Sequence, residues 1–348
     1  MFDYNSFEIR TKMHKHGVNM RHLGLLRSMF DDEKHPQEEQ LRRNLLKEMT
    51  LRTIKNYIRN TIRDVQLKGE GFQEAEDDKY STESHIKMFF KSNIASIFNE
   101  MLSDKSCTTF LTLAGSTSAA GCMKIYSDMI KYNMIDVIVA TGASIIDMDF
   151  FEALGFRHYQ GSQFQDDSQL RENYIDRIYD TYIDEEELQA CDKTICDIAD
   201  TLEPRPYTSR EFIKEIGKYL KNNSKKKGSL IETAYDNNVP IFCPAFTDSS
   251  AGFGLVMHQE KNPKKCLTID SIREFRELTE IKIKSKGSGL FMIGGGVPKN
   301  FIQDTVICAE LLGKEVDMHK YAIQITVADS RDGACSSSTL KEASSWGK

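Results

Sequence analysis

Four apolar runs in this chain each open into small or polar residues, where a strand would hand over to a helix. TTFLTLAG leads into Gly115-Ser116-Thr117, and IDVIVA into Thr141-Gly142-Ala143. PIFCPAF leads into Thr247-Asp248-Ser249-Ser250, and GLFMI into Gly294-Gly295-Gly296. Glycine lets a backbone approach a ligand closely. The triple glycine, with Pro298 available to start the next helix, suits an anion at a helix N-terminus. A pyrophosphate is the natural candidate; ordinary tight turns are the alternative. Four such ends converging on one sheet edge favour a dinucleotide site. The GxGxxG fingerprint of the usual dehydrogenases does not follow the first strand. Asp147 and Asp248 lie just past two strand ends, where a carboxylate can receive ribose hydroxyls or a ligand ammonium, or cap a helix.

A second kind of chemistry is written in SSWGK, residues 344–348. A lysine becomes a nucleophile only when its amine is neutral for part of the time, which requires a desolvated or cation-rich pocket. Trp346 offers an apolar wall and a π face that attracts an alkylammonium. Gly347 permits close approach, and Glu342 shares a face with Trp346 if the stretch is helical. Taken alone, a lysine in this place reads as a solvated surface charge, and composition does not overturn that reading.

These residues need a frame. Apolar strands alternating with helical segments at 169–200, 208–222, 268–282 and 299–312 imply a parallel sheet covered on both faces. The segment 208–222 opens with a Thr208-x-x-Glu211 capping box. The expected fold is α/β: a doubly wound, mostly parallel Rossmann-like sheet with helices on both faces, plus a helical N-terminal extension. In that extension, residues 1–66, Leu45, Met49, Ile54, Ile58 and Ile62 follow an amphipathic spacing. Residues 67–84 read as a polar linker, and 85–348 as the α/β domain.

Composition narrows the function. A net charge of −6 argues against general nucleic-acid binding. The basic run KNNSKKKG (221–228) reads as a solvated turn. The eight cysteines form no CxxC pair, so buried thiols in a reducing compartment are expected. His14, His16 and His22 lack a metal site's usual partners, and no metal is expected. The start has no secretory apolar core, and no run approaches the ~20 residues that span a bilayer. A cytoplasmic protein without membrane contact is expected.

The stretches FLTLAGSTSAAG, NMIDVIVATGA, FFEALGFRHYQGS, PIFCPAFTDSSAGFGL, IGGGVPKN and EASSWGK resemble the deoxyhypusine synthase family. The similarity is greatest to its archaeal and bacterial deoxyhypusine synthase-like branch. The resemblance implies a homotetramer with active sites at dimer interfaces and NAD as a recycled cofactor. In that family NAD takes a hydride from spermidine, and an enzyme lysine captures the resulting imine. The aminobutyl group then passes to a lysine of translation initiation factor 5A. By position Lys348 is the nucleophile. Ser116, Thr117, Thr141, Gly142, Ala143, Asp147, Asp248, Thr326 and Asp332 fall where the family holds NAD, together with Gly294 of the glycine run. Gly295, Glu342 and Trp346 fall in the polyamine pocket.

Departures from the eukaryotic pattern stand at Ile146, Phe253, Asn300 and Cys335. Fewer carboxylates hold a multiply charged amine less firmly. They leave open a homospermidine synthase-like transfer to a small amine such as putrescine, or a non-catalytic scaffold. Family members continue through at least one more strand, so a truncated C-terminus is expected. KHGVNMRHLGLL is similar to a stretch of the CLU (clustered mitochondria) proteins.

Overall fold

The computed structural model describes residues 94–117, 121–335 and 339–348. The helical extension expected over 1–66 and the linker 67–84 lie outside the described residues.

Among the described residues, five parallel strands form the central sheet. In chain order they are β1 (Cys107–Leu113), β2 (Val137–Ala140), β7 (Ile241–Phe242), β9 (Gly287–Ile293) and β10 (Tyr321–Ile325). Their spatial order is β10-β9-β1-β2-β7. Every residue of β1 is buried, as expected of a strand covered on both faces. Side chains alternate between two cores because a strand's period is two. Leu111, Leu113, Ile138, Ile241, Phe291, Ile293 and Ile323 pack on one face against the helices Ile94–Ser103, Met123–Lys131 and Leu230–Asp236, among others. Phe110, Val137, Val139, Phe242, Leu290 and Met292 pack on the other, against Leu278, Ile281 and Ile302 of the helices Ser271–Lys284 and Gly296–Leu311.

The chain builds β1, β2 and β7 outward in one direction, then crosses back to add β9 and β10 on the far side of β1. The order therefore reverses between β1 and β9. Open α/β sheets bind ligands beyond the carboxyl ends of the strands at such a switch point.

Two expected helices are corrected. Within 169–200, the helix Asp167–Glu172 gives way to an antiparallel hairpin of β4 (Ile175–Ile178) and β5 (Thr181–Asp184), with β3 (Tyr159–Gln160) alongside β5. The long helix begins only at Glu185. Ile, Thr and Tyr supply β-favouring side chains here. Tyr174 and Tyr179 adopt φ of 54° and 59°, which a helix cannot accommodate. Asp184 then caps the new helix by accepting from the amides of Glu186 and Glu187. Within 268–282, β8 (Thr268–Ile269) pairs with β6 (Pro206–Tyr207), and the helix starts at Ser271 after the Asp270 cap. The capping box at Thr208 and Glu211 forms as expected.

Candidate functional site

Backbone rungs fix the ends of four strands in register before they diverge. The amide of Ala114 donates to the Ile293 carbonyl at 3.0 Å, Thr141 to Leu113 at 3.0 Å, and Gly294 to Ile325 at 2.7 Å. Gly115-Ser116-Thr117, Thr141-Gly142-Ala143, Gly294-Gly295-Gly296 and Thr326 therefore leave the sheet at one edge. Gly294 and Gly296 turn the chain with φ of 78° and 60°, the left-handed region that glycine enters without strain. An ideal Cβ on Gly296 would lie 3.8 Å from that of Ala114, so the triple-glycine turn and the first turn face each other across the switch point.

On the β2 side the loops interlock. Thr141 caps the short helix Gly142–Ser144, accepting from the Ser144 amide at 3.3 Å, while the Ser144 hydroxyl donates to the Gly115 carbonyl. Gly142 is pressed against the turn after β7: a Cβ there would meet the Ser249 side chain at 2.5 Å. Thr117 accepts from Tyr126 at 3.0 Å. Asp147 accepts from the Ser250 amide at 2.7 Å. Burial pushes its carboxyl up to about 6, against the lowering effect of Ser250. Asp192 lies close enough to add repulsion to Asp147, and its Oδ1 is buried without a hydrogen-bond partner. Burial also raises the Asp192 carboxyl. Asp248 is exposed on the edge.

The β9 side carries the amine. Helix Gly296–Leu311 springs from the triple glycine and presents Asn300 and Asp304, one turn apart. Lys348 has only 8% of its side chain exposed, and its Nζ lies 2.6 Å from Asp304 Oδ1. Asn300 Oδ1 accepts from the same Nζ at 3.4 Å, and the Asn300 amide donates to Asp304 Oδ2 at 2.9 Å. The Trp346 ring centroid is 5.4 Å from Nζ, within cation–π range. Gly347, at φ 73°, closes the short helical turn so that the Lys348 amide reaches the Ala343 carbonyl. Lys299, fully buried, donates to the Cys335 carbonyl at 2.6 Å. Burial pushes its amine down, and the Lys348 charge acts in the same direction.

The expected residues thus fall into two groups on one edge. Ser116, Thr117, Thr141, Gly142, Ala143, Asp147 and Asp248 stand around the ends of β1, β2 and β7. Gly294, Gly295, Trp346 and Lys348 gather beside β9. Thr326 follows β10, its hydroxyl accepting from the Ala328 amide at 3.1 Å, and Asp332 is exposed in the loop beyond. Glu342 stands in the short helix Leu340–Ala343. Its carboxylate accepts from the Thr339 amide at 2.7 Å in a capping box, which holds its acidity stronger than usual. Ile146 and Cys335 are buried, and Phe253 is 67% exposed.

Sequence reading missed Asp304 and Asp192. Each lies about two turns into its helix, Asp304 in Gly296–Leu311 and Asp192 in Glu185–Asp200, past the turn at which a strand-end signal would be read. Among the described residues, Cys196, Asp197 and Asp200 form a group with metal-ligand spacing. Lys261 already supplies a cation there, 3.1 Å from the Cys196 sulfur and 3.3 Å from Asp200.

Fold and site together define a doubly wound parallel α/β protein with small-residue turns and a secluded lysine at its switch-point edge. The family model described as deoxyhypusine synthase matches residues 91–348. A deoxyhypusine synthase-like protein of Coxiella burnetii is 74% identical over 253 residues, covering 72% of this chain and 72% of that protein. One from Caulobacter vibrioides is 68% identical over 274 residues, covering 76% and 75%. The chain belongs to the deoxyhypusine synthase family. The crystal structure of an Entamoeba histolytica protein assigned to deoxyhypusine synthase aligns over 74% of this chain and 88% of its own, with a TM-score of 0.51. At 20% identity that likeness shows the fold.

The family model described as translation initiation factor eIF3 subunit 135 matches residues 2–71. The resemblance to CLU proteins expected there is not borne out. Among the described residues, no helix is long and apolar enough to cross a membrane.

Proposed function

We propose that the chain is an NAD-dependent aminobutyl transferase that takes the aminobutyl group of spermidine onto Lys348 and passes it to a lysine of translation initiation factor 5A. Family membership supports the reaction class. The observation that carries the residue assignment is the Lys348 amine, withdrawn from solvent between Trp346 and the helix of the triple glycine.

The edge fits a dinucleotide. Gly294-Gly295-Gly296 opens a 16-residue helix whose first amides can hold a pyrophosphate. The exposed Asp248 carboxylate can accept ribose hydroxyls, and the packing of Gly142 on Ser249 leaves backbone there instead of a side chain. Ser116, Thr117, Thr141, Ala143, Thr326 and Asp332 line the remaining strand ends and complete the cofactor set. NAD, when bound, supplies the hydride acceptor for the carbon beside the secondary amine. Trp346 walls the polyamine chain, Gly295 lets it approach, and Glu342, whose Oε2 caps its own helix, offers Oε1 to an outer ammonium. Asp147, with its carboxyl pushed up to about 6, keeps charge when near-neutral and loses it in mild acid.

Incubation with NAD and labelled spermidine, followed by borohydride, should fix label on Lys348. A protein that gives no adduct, or the same adduct as its Lys348→Ala variant, would refute the assignment. Phe253 and Ile146, apolar where the eukaryotic enzymes carry acids, favour a second reading: transfer to a small amine such as putrescine. Label found only in a small product would select it. The same reading takes the protein as a cytoplasmic homotetramer. It also takes 85–348 as the catalytic domain, and 1–66 as an interaction segment on a 67–84 linker.

A further inference from the structure

Asp304 enters none of the expectations drawn from the sequence, yet it is the anion that faces the Lys348 amine. Its Oδ1 lies 2.6 Å from Nζ, with the lysine side chain 8% exposed and the aspartate 32%. Asn300 grips the other carboxylate oxygen at 2.9 Å and offers its own Oδ1 to the amine at 3.4 Å. The carboxylate is thereby oriented, one turn of helix from its lock. The neighbouring charges are engaged elsewhere. Lys299 donates to the Cys335 carbonyl at 2.6 Å, and the Glu342 carboxylate accepts from the Thr339 amide at 2.7 Å.

We infer that Asp304 is the counter-ion of Lys348 in both its free and its substituted state, and the group through which the lysine exchanges protons during capture. The inference rests on the reading that Lys348 captures an imine. A neutral substrate imine R–CH=N–R′ and the Lys348 ammonium give R–CH=NH⁺–Lys348 and R′NH2. The C=N bond to R′ breaks and a C=N bond to Nζ forms, with no oxidation or reduction. Of the three ammonium protons, one stays on Nζ and two depart on the leaving amine. Asp304, in contact with Nζ, accepts each of those two and hands it on. Its carboxylate then faces the iminium, and only a protonated imine is electrophilic enough to take hydride or the next amine. A carboxylate in contact with a cation withdrawn from water interacts far more strongly than one across bulk solvent.

The test uses the full chain, its Asp304→Asn variant and the conservative Asp304→Glu. Three quantities are read: labelling of Lys348 by trinitrobenzenesulfonate at neutral pH without substrate, NADH formed from NAD and spermidine, and borohydride-trapped adduct. Asp304→Asn should label Lys348 at least threefold faster and trap at least tenfold less adduct per NADH formed. Asp304→Glu should recover a good part of the adduct. Unchanged labelling, or an adduct-to-NADH ratio equal to the parent's, overturns the inference. A parent protein that forms no adduct overturns the nucleophile assignment instead, and the labelling comparison still decides whether Asp304 is the counter-ion.

Discussion

At the scale of single residues, buried acids set how the protein responds to pH. Glu274 is fully buried and accepts from the Ser209 amide at 3.1 Å. Burial pushes its carboxyl from an ordinary 4.5 up to about 7, more than its hydrogen bonds pull it down. Across that window the unfolded chain releases a proton that the folded chain keeps. Stability therefore falls as pH rises from about 4.5 and levels off above about 7. Glu274→Gln removes the titration. It should leave stability near the parent's at about pH 4 and raise it by on the order of 1–3 kcal/mol at about pH 8. Urea unfolding at both pH values measures this. Parallel curves for the two proteins would contradict it. Lys348 belongs to the same scale, because its seclusion depends on three contacts, with Asp304, Asn300 and Trp346.

At the scale of elements, the site depends on how closely two turns approach. Gly142 sits where a Cβ would meet Ser249 at 2.5 Å and the Asp248 carbonyl at 3.3 Å. Gly142→Ala must push the β2 turn away from the turn that carries Asp248. NAD affinity should fall at least tenfold, read by titration of intrinsic fluorescence, while the far-ultraviolet spectrum stays that of the parent. Unchanged affinity would mean that this approach does not shape the cofactor site. The end of β3 is held on β5 by a comparable contact: Gly161 lies flat on the Tyr182 ring, where a Cβ would come within 2.1 Å. That contact, and the left-handed tyrosines, explain why helical periodicity gave the wrong element at 175–184.

At the scale of the whole molecule, two family models divide the chain, one matching residues 2–71 and the other 91–348. If the two parts are independent units, cutting the polar stretch 67–84 should free a C-terminal fragment. That fragment should melt within about 2 °C of the corresponding transition in the full chain. Limited proteolysis followed by calorimetry measures it. A fragment that melts much lower would show that the N-terminal part stabilises the α/β body. The central sheet itself gives no sign of needing help, since both of its faces are covered by apolar cores drawn from the described residues.

The amino-acid sequence by itself determined the parallel sheet and the small-residue turns at its strand ends, while the strand order that makes a switch point came from the fold. Short runs without charged residues, such as Cys107–Leu113 and Gly287–Ile293, carry the signal of strands buried on both faces. Small residues after them mark the strand ends by chemistry that is local in the chain. Tertiary structure alone decided which charges meet. Asp304 and Lys348 are far apart in sequence and 2.6 Å apart in space, and the Glu342 carboxylate caps its own helix by accepting from the Thr339 amide. Asp192 comes beside Asp147 only because two helices pack around Ser250. Periodicity reports which face of an element is buried. It carries no information on the partner that face will find, because that depends on how the elements pack.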